Sequence, residues 1–594
     1  MADMPTPKPL LNVTSSVRGQ KWVMRCDDET LISKFTNQDI GQTIAQILAG
    51  RGVEPRDAEQ FLNPTLRHYL PDPSTLQDMD KAAARIVDAV EAGEAITVFA
   101  DYDVDGGTSA AQLIRWGKAF GAKFGLYVPD RIKEGYGPSV AAFAHLKETG
   151  SDLVITVDCG ASAENALKAA ADIDLPIIVI DHHMMSGEMP PAYALVNPNR
   201  PDDTSGLGHL AAAGVVFVLL VALNREAKRR GLTGAPDLLS FLDLTALGTI
   251  CDVVPLFGLN RAFVAQGLKV LSNKPNPGLA ALAEVSAISA PFTTYHGGFM
   301  LGPRINAGGR IGQADMGARM LSSDDQDEIH GFAAELDRIN NERKKLQDGI
   351  LREAIEQVEH IPGFDSPNGP QVICIAMQGW HAGVIGIVAG RLKDRYNCPA
   401  IVIGVDAHGV GKGSGRSMYG VDLGAAVIKA KDAGILDAGG GHSMAAGLTV
   451  VEEKIPEFQA FIEDALRVDV IEARKKSAMK IDALLNPSAV GLDLIKEIDQ
   501  VGPYGAKMPE PLFAFADMRI TYAQRLNGGH VRCAFEDASG IRLAGIAFRA
   551  EETGLAEILL APNPPQVHIA ARLKENTWKG RTKIDVQISD LALA

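Results

Sequence analysis

Cysteine is scarce in this sequence, and no two cysteines lie close enough along the chain to form a CxxC pair. The chain has 594 residues and six scattered cysteines, which are Cys26, Cys159, Cys251, Cys374, Cys398 and Cys533. Without paired cysteines the sequence lacks the ligand spacing of a structural zinc site, and isolated thiols are typical of a reducing compartment. We therefore expect a cytoplasmic protein without structural zinc.

Long apolar runs and an excess of positive charge are also missing. No run of about 18 or more apolar residues occurs, so no membrane span is predicted. Residues 1–13 are polar and rich in proline, which argues against a secretory signal. The net charge is −15, whereas proteins that coat nucleic acid are more often basic. Any contact with nucleic acid should therefore be a local groove, and part of the acidity fits carboxylates that hold metal ions.

The order of apolar and helical patterns predicts several domains. At roughly 150 residues per domain, a chain of this length suggests about three or four. From about 94 to 290, strand-like runs alternate with helix-like runs, which indicates an α/β domain with a mainly parallel sheet, and the alternation returns from 371 to about 466. We predict an N-terminal, mostly helical extension (1–90), an α/β domain (91–320), a connecting helix (321–360), a second α/β domain (361–467) and a small β-barrel or sandwich domain (468–594).

Individual elements can be predicted inside these segments. The predicted strands are 95–100, 124–128, 153–157 and 176–180, with further β segments at 567–573 and 582–593. The predicted helices include 80–92, 109–120 and 139–148. Ligands of open parallel sheets lie beyond the carboxyl ends of the strands, so the residues that follow each strand are candidates for a site.

An acidic segment follows the first predicted strand, with Asp101, Asp103 and Asp105 at alternate positions. If the segment is extended, the three carboxylates lie on one face. Such crowding raises carboxylate pKa values unless a hard divalent cation is bound. A solvated acidic turn is the plain alternative. An EF-hand loop is disfavoured because a strand precedes the segment and Gln112 stands where that loop needs glutamate.

Further candidate ligands end three other apolar runs. Asp158 follows the run 153–157, the sequence Asp181-His182-His183 follows 176–180, and Asp252 follows 244–251. A single aspartate at a strand end is more often a helix N-cap, and a histidine pair is often only surface. Four such acidic or histidine clusters together, however, predict a site for two Mn²⁺ or Mg²⁺ ions.

These residues resemble the DHH phosphoesterase family, named for Asp-His-His, and within it the RecJ exonucleases. The strings that carry the resemblance are 100–106, 157–160, 181–183, 248–256, 303–310, 380–389 and 439–447. The resemblance covers the chain from about residue 90 to the end. It implies a DHH catalytic domain and a DHH-associated domain, both α/β, joined by a long helix and followed by an OB-like β-barrel.

The resemblance also implies the roles of the metal ligands. Asp101 and Asp103 would bind the first ion, Asp105, His182 and Asp252 the second, and Asp158 both. His183 would lie beside the scissile phosphate, and Arg304 would complete the catalytic set with Asp158 and His183. Many DHH enzymes have a histidine at the position of Phe99, so the first ion would have fewer ligands here.

Substrate-binding residues are predicted in two groups. Arginine binds phosphate with two hydrogen bonds at once, and glycine-rich turns can direct backbone N–H groups at an anion. The first group is Arg131, Asn306 and Arg310, and the second is His381, Ser414, Arg416, Gly440, Gly441 and His442. The glycine-rich string around Asn306 is expected to be a loop, and the strings 413–417 and 439–442 are expected to be turns. Neither 413–417 nor 439–442 has the P-loop pattern, so we do not predict ATP binding. By the resemblance, Arg131, Ser414 and Arg416 would hold a terminal 5′-phosphate.

The implied function is a 5′-to-3′ exonuclease for single-stranded DNA that releases 5′-mononucleotides in DNA repair and recombination. By the same likeness it would be a monomer, with single-stranded-DNA-binding protein and a RecQ-type helicase as partners. Two alternatives remain open: a DHH phosphodiesterase of short oligonucleotides or cyclic dinucleotides, and a non-catalytic DNA-binding scaffold. The resemblance is also imperfect near the barrel, where Lys507-Met508 replaces the family's usual Gly-Asn.

Overall fold

The structure is a computed structural model that describes residues 8–130, 134–185, 187–274, 276–364, 369–578 and 581–594. The chain divides into two compact units. The first unit consists of Met1–Pro55, Arg343–Asp499 and Pro511–Ala594, and the second of Arg56–Glu342 and Gln500–Glu510. No helix within the described residues is long and apolar enough to cross a membrane.

The N-terminal residues belong to the same unit as the C-terminal ones. They contain strand β1 (Lys21–Met24) and helices α1 (Glu29–Thr36) and α2 (Gln42–Gly50). Strand β1 pairs in parallel with residues 478–481. The buried Trp22 donates its indole N–H to Asp590 at 3.1 Å. These contacts attach the N-terminal segment to the end of the chain.

The second unit is built on a five-stranded parallel sheet of order β3-β2-β4-β5-β6. Its strands are β2 (Ile96–Ala100), β3 (Phe124–Tyr127), β4 (Leu153–Val157), β5 (Ile177–Ile180) and β6 (Ala194–Val196). Its first helices are α3 (Ala58–Leu62), α4 (Leu66–Tyr69), α5 (Met79–Ala92), α6 (Val104–Ala119), α7 (Val140–Glu148), α8 (Glu164–Asp172) and α9 (Ala212–Arg229). Helices α5, α6 and α9 share one core with the sheet, and α7 and α8 share another. The predicted strands and helices of this region, and the parallel sheet, are confirmed.

A helical region follows the sheet. Its helices are α10 (Leu242–Cys251), α11 (Gly258–Ser272), α12 (Pro277–Val285), α13 (Gly302–Ile311), α14 (Met316–Ser322) and α15 (Gln326–Glu359), with a π-helix at His296–Leu301. The glycine-rich string that carries Arg304, Asn306 and Arg310 was expected to be a loop, and this expectation is wrong because the string forms α13. The boundary between the two units falls inside α15, between Glu342 and Arg343.

The first unit contains a second sheet of order β10-β11-β9-β8-β7. Its elements are β7 (Ile373–Gln378), α16 (Ala382–Tyr396), β8 (Ala400–Val405), β9 (Val410–Arg416), α17 (Leu423–Asp432), β10 (Ala438–His442), β11 (Ala445–Val451) and α18 (Ile455–Lys476). Strands β7 and β8 are parallel, and the other neighbours are antiparallel. The glycine-rich strings at 413–417 and 439–442 were expected to be turns, but they lie mainly in β9 and β10.

A closed five-stranded barrel completes the chain and confirms the predicted OB-like domain. The remaining elements are β12 (Ala478–Ile481), β13 (Ala483–Leu484), α19 (Leu492–Gln500), β14 (Phe513–Leu526), β15 (His530–Glu536), β16 (Arg542–Ala547), α20 (Leu555–Leu559), β17 (Val567–Trp578) and β18 (Arg581–Leu593). The barrel order is β14-β15-β16-β18-β17, and pairing of β14 with β17 closes it. The exact domain boundaries given above stay a prediction.

The unusual Lys507-Met508 pair has a structural explanation. Lys507 has a φ of 58°, in the left-handed region that glycine or asparagine adopts most easily. The turn is held by reciprocal backbone hydrogen bonds between Gly505 and Met508, of 2.8 and 3.0 Å. Met508 is buried against Leu256 and Val264. The turn is therefore formed with a lysine in the left-handed region and a methionine that contributes to a buried cluster.

Candidate metal centre

The acidic segment forms the junction between β2 and α6. Asp103 is the N-cap of α6, and one of its oxygens accepts the backbone N–H groups of Asp105 at 2.8 Å and Gly106 at 3.1 Å. The expectation of an extended segment is therefore wrong for Asp105, which lies in the first turn of α6. The helix starts here because a capping aspartate satisfies N–H groups that have no partner within the helix.

The buried side chain of Asp105 contacts the N-terminus of helix α9. Its two oxygens accept the backbone N–H groups of Ala212 at 2.7 Å and Ala213 at 2.9 Å, at the N-terminus of α9. The positive end of the helix dipole favours the carboxylate there. Burial, followed by the charges of Asp252 and Asp103, nevertheless raises the pKa of Asp105 well above its ordinary value.

Asp158 follows β4 with a strained backbone. Its φ is 60°, which is uncommon for residues other than glycine, and such strain often occurs at functional sites. Its N–H donates to Ile180 O at 3.0 Å, and its carbonyl accepts the Tyr136 hydroxyl at 3.1 Å. These contacts fix the backbone and direct a buried carboxylate toward the other acids.

In the Asp-His-His sequence, Asp181 is a buried hydrogen-bond acceptor for the residues that follow it. Asp181 is buried, and its oxygens accept the N–H groups of His182 at 2.7 Å and Ala161 at 3.0 Å. His183 Nδ1 lies 2.7 Å from Asp181 Oδ1. Although burial opposes ionisation, hydrogen bonding and the charge of His183 leave the pKa of Asp181 below its ordinary value. At His183, burial lowers the pKa, but the hydrogen bond and the negative charge of Asp181 outweigh burial and raise the pKa above its ordinary value. Asp181 thus orients His183 and favours its charged form.

His182 points its ring into the group of carboxylates. Its Nε2 lies 3.2 Å from Asp158 Oδ1, 3.6 Å from Asp252 Oδ2 and 3.9 Å from Asp105 Oδ2. Among the described residues this buried nitrogen has no hydrogen-bond partner of acceptable geometry. Burial, together with the neighbouring His183, lowers the pKa of His182 to about 4. A neutral imidazole with a free lone pair is the form that binds metal ions.

The structure brings all six predicted ligands together. Candidate ligand atoms lie within 4.8 Å of one another in three groups: Asp101, Asp103 and Asp158; Asp105, His182 and Asp252; and Asp158, His182 and His183. Asp252 caps the end of helix α10 rather than a strand. Burial, and then the charge of Asp103, raises its pKa to about 7. Burial and neighbouring acids also raise the pKa of Asp158. Divalent cations relieve this repulsion, so the residues present fit a two-metal site.

Phe99 occupies a position where many DHH enzymes have histidine. It is fully buried, and its ring stacks on Tyr127 at 5.2 Å and meets Phe143 edge-on at 5.9 Å. The side chain therefore belongs to the core shared by α7 and α8. The first ion would depend on the group Asp101, Asp103 and Asp158.

The side chains of Arg304 and Asn306 on helix α13 both form hydrogen bonds with other residues of the protein. Arg304 Nε pairs with Asp337 Oδ1 at 2.8 Å, and its Nη1 donates to Met300 O at 2.8 Å. Asn306 Oδ1 accepts the backbone N–H of Val104 at 3.2 Å, beside the acidic segment. Arg310 lies in the last turn of α13 and is partly exposed. The catalytic role of Arg304 and the substrate contacts of Asn306 and Arg310 stay predictions.

Most of the second group of predicted binding residues lies on one face of β9 and β10. Ser414 and Gly440 both pair with Gly447 of β11, and Arg416 and His442 both pair with Ala445. Paired positions share a face, as do positions two apart. Arg416 Nη1 donates to Ser414 Oγ at 3.1 Å. Gly441 lies between Gly440 and His442, on the opposite face.

Helix α16 packs against Ser414 and Arg416 at Gly386, its fifth residue. His381 is its N-cap, and His381 Nδ1 accepts the Gly383 N–H at 3.0 Å. A Cβ at Gly386 would lie 2.8 Å from Ser414 Oγ and 3.0 Å from Arg416 Nη2. Glycine is needed there for α16 to lie so close to the polar face. Arg131, the remaining predicted phosphate ligand, lies outside the described residues.

Sequence reasoning missed Tyr136. Its hydroxyl lies 3.3 Å from His183 Nε2 as well as 3.1 Å from the Asp158 carbonyl, and the residue as a whole is 56% exposed. The only signal was its place in the Gly-Tyr-Gly string 135–137. Tyr136 ties together two residues of the site.

Comparison with known proteins identifies the family. Residues 95–249 match the N-terminal domain of the DHH family, residues 369–468 the DHHA1 domain and residues 481–590 the RecJ OB domain. The single-stranded-DNA-specific exonuclease RecJ of Bacillus subtilis (strain 168) is 34% identical over 579 residues, covering 97% of this chain and 71% of that protein. The chain belongs to the RecJ family.

Other RecJ proteins support this assignment. Escherichia coli (strain K12) RecJ is 31% identical over 566 residues, covering 92% of this chain and 95% of that protein. The crystal structure of RecJ with Mn²⁺ from Thermus thermophilus matches with a TM-score of 0.77 and 31% identity, covering 95% of this chain and 78% of that one. The corresponding structure with Mg²⁺ gives a TM-score of 0.73. The α/β architecture with a terminal OB barrel is thus the RecJ fold.

Gly248 in α10 offers a test of the site's packing. A Cβ there would lie 2.5 Å from Thr108 Oγ1 and 2.7 Å from Asp105 Oδ1. We expect Gly248→Ala to displace Asp105, to weaken Mn²⁺ binding, and to destabilise the fold by about 1–3 kcal/mol, as overpacking does. Calorimetric Mn²⁺ titration and thermal melting measure the two effects.

Gly331 in α15 provides the matched control. It lies in a helix of the same unit with no heavy atom within 4 Å of an added Cβ. Gly331→Ala should raise stability by up to about 1 kcal/mol and leave Mn²⁺ binding unchanged. Equal Mn²⁺ affinity in the Gly248 and Gly331 variants would contradict the packing around Asp105.

Proposed function

We propose that this RecJ-family chain degrades single-stranded DNA from its 5′ end and releases 5′-mononucleotides, using two Mn²⁺ or Mg²⁺ ions. Membership of the RecJ family makes the chain a metal-dependent exonuclease. The observation that carries the two-ion proposal is the presence of two ligand groups, one containing Asp158 and the other containing His182, whose Nε2 lies 3.2 Å from Asp158 Oδ1. By family likeness we place the activity in DNA repair and recombination.

The proposed ligand sets follow the geometry. Asp101 and Asp103 would hold one ion and Asp105, His182 and Asp252 the other, with Asp158 between them. Bound cations would supply the charge that activates water and neutralises the phosphate. Because backbone N–H groups fix the carboxylates of Asp103 and Asp105, little reorganisation of these two groups is needed when a phosphodiester binds.

His183 is proposed to contact the phosphate. The His183 side chain is 45% exposed, unlike the largely buried side chain of His182. Asp181 favours the protonated form of His183. A cationic imidazole held at a fixed angle can donate a hydrogen bond to a phosphate oxygen or a proton to the leaving oxygen. The Tyr136 hydroxyl limits the rotation of this ring.

The 5′ polarity is proposed from the polar face of β9 and β10. Arg416 and Ser414 are joined by a hydrogen bond, and both lie against Gly386 in α16. A guanidinium and a hydroxyl in this arrangement suit a terminal phosphate. Arg131 is proposed as a further ligand, together with His381, His442 and the glycines of β10. A site for a terminal group explains cleavage from an end.

We also propose the domain boundaries, the oligomeric state and the protein partners of this chain. The DHH domain would span 91–320, the connecting helix 321–360, the DHH-associated domain 361–467 and the OB domain 468–594. By family likeness the protein would act as a cytoplasmic monomer, with single-stranded-DNA-binding protein and a RecQ-type helicase as partners.

Digestion of end-labelled single strands tests the proposal. With Mn²⁺ and Mg²⁺ in parallel, a 5′-labelled strand should yield labelled mononucleotide first, whereas a 3′-labelled strand should shorten progressively. Loss of the Arg416 guanidinium should weaken binding of a 5′-phosphorylated strand about ten- to 100-fold, the value of a charge-assisted hydrogen bond. It should have less effect on a 5′-hydroxyl strand.

Arg467→Ala is the control, because Arg467 pairs with Glu463 one helical turn away in α18. It should not alter binding of either strand. Release of labelled mononucleotide from the 3′ end would refute the polarity. Strong preference for a dinucleotide would favour the short-oligonucleotide phosphodiesterase, and binding without hydrolysis would favour the scaffold.

A further inference from the structure

The π-helix at His296–Leu301 exposes an aromatic pair. The rings of Tyr295 and Phe299 stack with centroids 5.3 Å apart and an interplanar angle of 25°. Tyr295 is 59% exposed and Phe299 71% exposed. Isolated exposed apolar residues are common on proteins, but two stacked rings that are both more than half exposed form an aromatic surface that folding does not use.

The backbone of this segment lies against the metal centre. Cys251, the residue before the proposed ligand Asp252, lies 3.6 Å through its Sγ from Gly297 O. A Cβ at Gly297 would lie 3.2 Å from the Ile250 side chain. The π-helix is therefore packed on the end of α10, from which Asp252 projects. π-Helical turns are rare and occur often at functional sites.

The segment is also joined to the acidic segment on its other side. It continues directly into α13, where Asn306 accepts the Val104 N–H at the start of α6. Both ends of the aromatic segment thus connect to elements that carry proposed metal ligands. The loop after Asp252 exposes further apolar surface, with Val253 69% and Phe257 47% exposed.

We propose that Tyr295 and Phe299 form a platform on which bases of the single strand stack next to the metal centre. This inference rests on the proposed function, since it assigns part of the same substrate. A single strand offers the faces of its bases, whereas a duplex hides them. Stacking on aromatic rings is tolerant of sequence because every base has a flat face. The platform would favour single strands over duplexes without reading their sequence.

Binding of strands with and without bases tests the platform. The probes are a dye-labelled oligothymidylate and a strand of the same length in which every nucleotide is abasic. Measurements use the full chain carrying Asp158→Asn, so that the probe stays intact. Phe299→Ala should weaken binding of the oligothymidylate about 5- to 150-fold, as the loss of one stacked base does. It should leave binding of the abasic strand unchanged, because both strands carry the same phosphates.

Tyr193→Ala is the matched control. Tyr193 is an exposed tyrosine of the same unit, but it precedes β6 and so lies at the opposite edge of the parallel sheet from the proposed ligands. This variant should change neither affinity. Phe299→Tyr should bind the oligothymidylate as well as the chain with Phe299 does, whereas Phe299→Leu should bind it as weakly as Phe299→Ala. Melting curves verify that each variant is folded.

Three results would overturn the platform. They are an equal loss on both strands, no loss on the oligothymidylate, and full binding by Phe299→Leu. The second result would point to another occupant of the aromatic pair, such as a partner protein. These outcomes are separate from failure of the proposed function, which would appear as no digestion of a single strand by the unmutated chain.

Discussion

Asp158→Asn is expected to abolish hydrolysis of single-stranded DNA while the fold survives. Asp158 shares a ligand group with Asp101 and Asp103, and its Oδ1 lies 3.2 Å from His182 Nε2, so its loss would weaken both proposed metal ions together. Metal-assisted stabilisation of the transition state is worth several kcal/mol, and we expect the rate to fall by about 10³-fold or more. Asparagine is chosen because it tolerates the left-handed backbone, with φ of 60°, better than alanine.

The stability of this variant should change in the opposite direction from its activity. Burial and the neighbouring acids Asp105, Asp103, Asp101 and Asp252 raise the pKa of Asp158. A neutral amide removes that repulsion, so the melting temperature in EDTA should equal or exceed that of the unmutated chain. Asp174→Asn is the control, since Asp174 is an exposed aspartate with φ of 51°. A folded Asp158→Asn protein with full metal-dependent activity would refute the proposed site.

Mn²⁺ is expected to raise the melting temperature of the unmutated chain, and EDTA should reverse the effect. A ligand at a hundredfold excess over its dissociation constant stabilises the folded state by about 2.7 kcal/mol per site. For a unit of this size, roughly 2–4 °C per kcal/mol gives a rise of about 5 °C or more. The physical source is relief of repulsion among Asp105, Asp158 and Asp252, which are buried or nearly so.

The size of this rise should depend on the ligands. Asp158→Asn should reduce it strongly, whereas Asp174→Asn should leave it intact. Differential scanning calorimetry at several Mn²⁺ concentrations gives the comparison directly. An equal rise in all three proteins would show that Mn²⁺ binds elsewhere on this acidic chain.

The ligands could be predicted from the sequence because parallel strands deliver their C-terminal residues to one edge. Asp101, Asp158 and the histidine pair follow β2, β4 and β5, whose apolar runs are easy to recognise. Asp252 lies in the same group of side chains even though α10 is a helix, because a buried helix and a buried strand give similar apolar runs. The identity of the ligands therefore depended less on the element type than on where each run ended.

Glycine-rich strings were the main source of error. Gly413 and Gly415 were expected in a turn, but they are in β9, where an added Cβ would lie 2.6 Å from Leu448 and 2.7 Å from Leu423. Glycine serves close packing there rather than chain reversal. The string around Asn306 was expected to be a loop, but it forms helix α13. Gly308 and Gly309 allow close approach of neighbouring backbone there. Glycine alone does not distinguish these uses.

Contacts between particular side chains could not be predicted either. Asp181 orients His183, and Tyr136 contacts both His183 and Asp158, yet no spacing rule indicates these pairs. The aromatic pair Tyr295 and Phe299 was missed because exposure depends on tertiary packing. Sequence pattern identifies candidate ligands, whereas their orientation and the surrounding surface emerge only from the fold.

Anomalous diffraction at the manganese edge, from crystals grown with Mn²⁺, would locate the ions themselves. We expect two peaks per chain, one among Asp101, Asp103 and Asp158 and the other among Asp105, His182 and Asp252, with Asp158 contacting both. Absence of a peak among these residues at saturating Mn²⁺, with hydrolysis still supported by the same ion, would contradict the assignment of the metal centre.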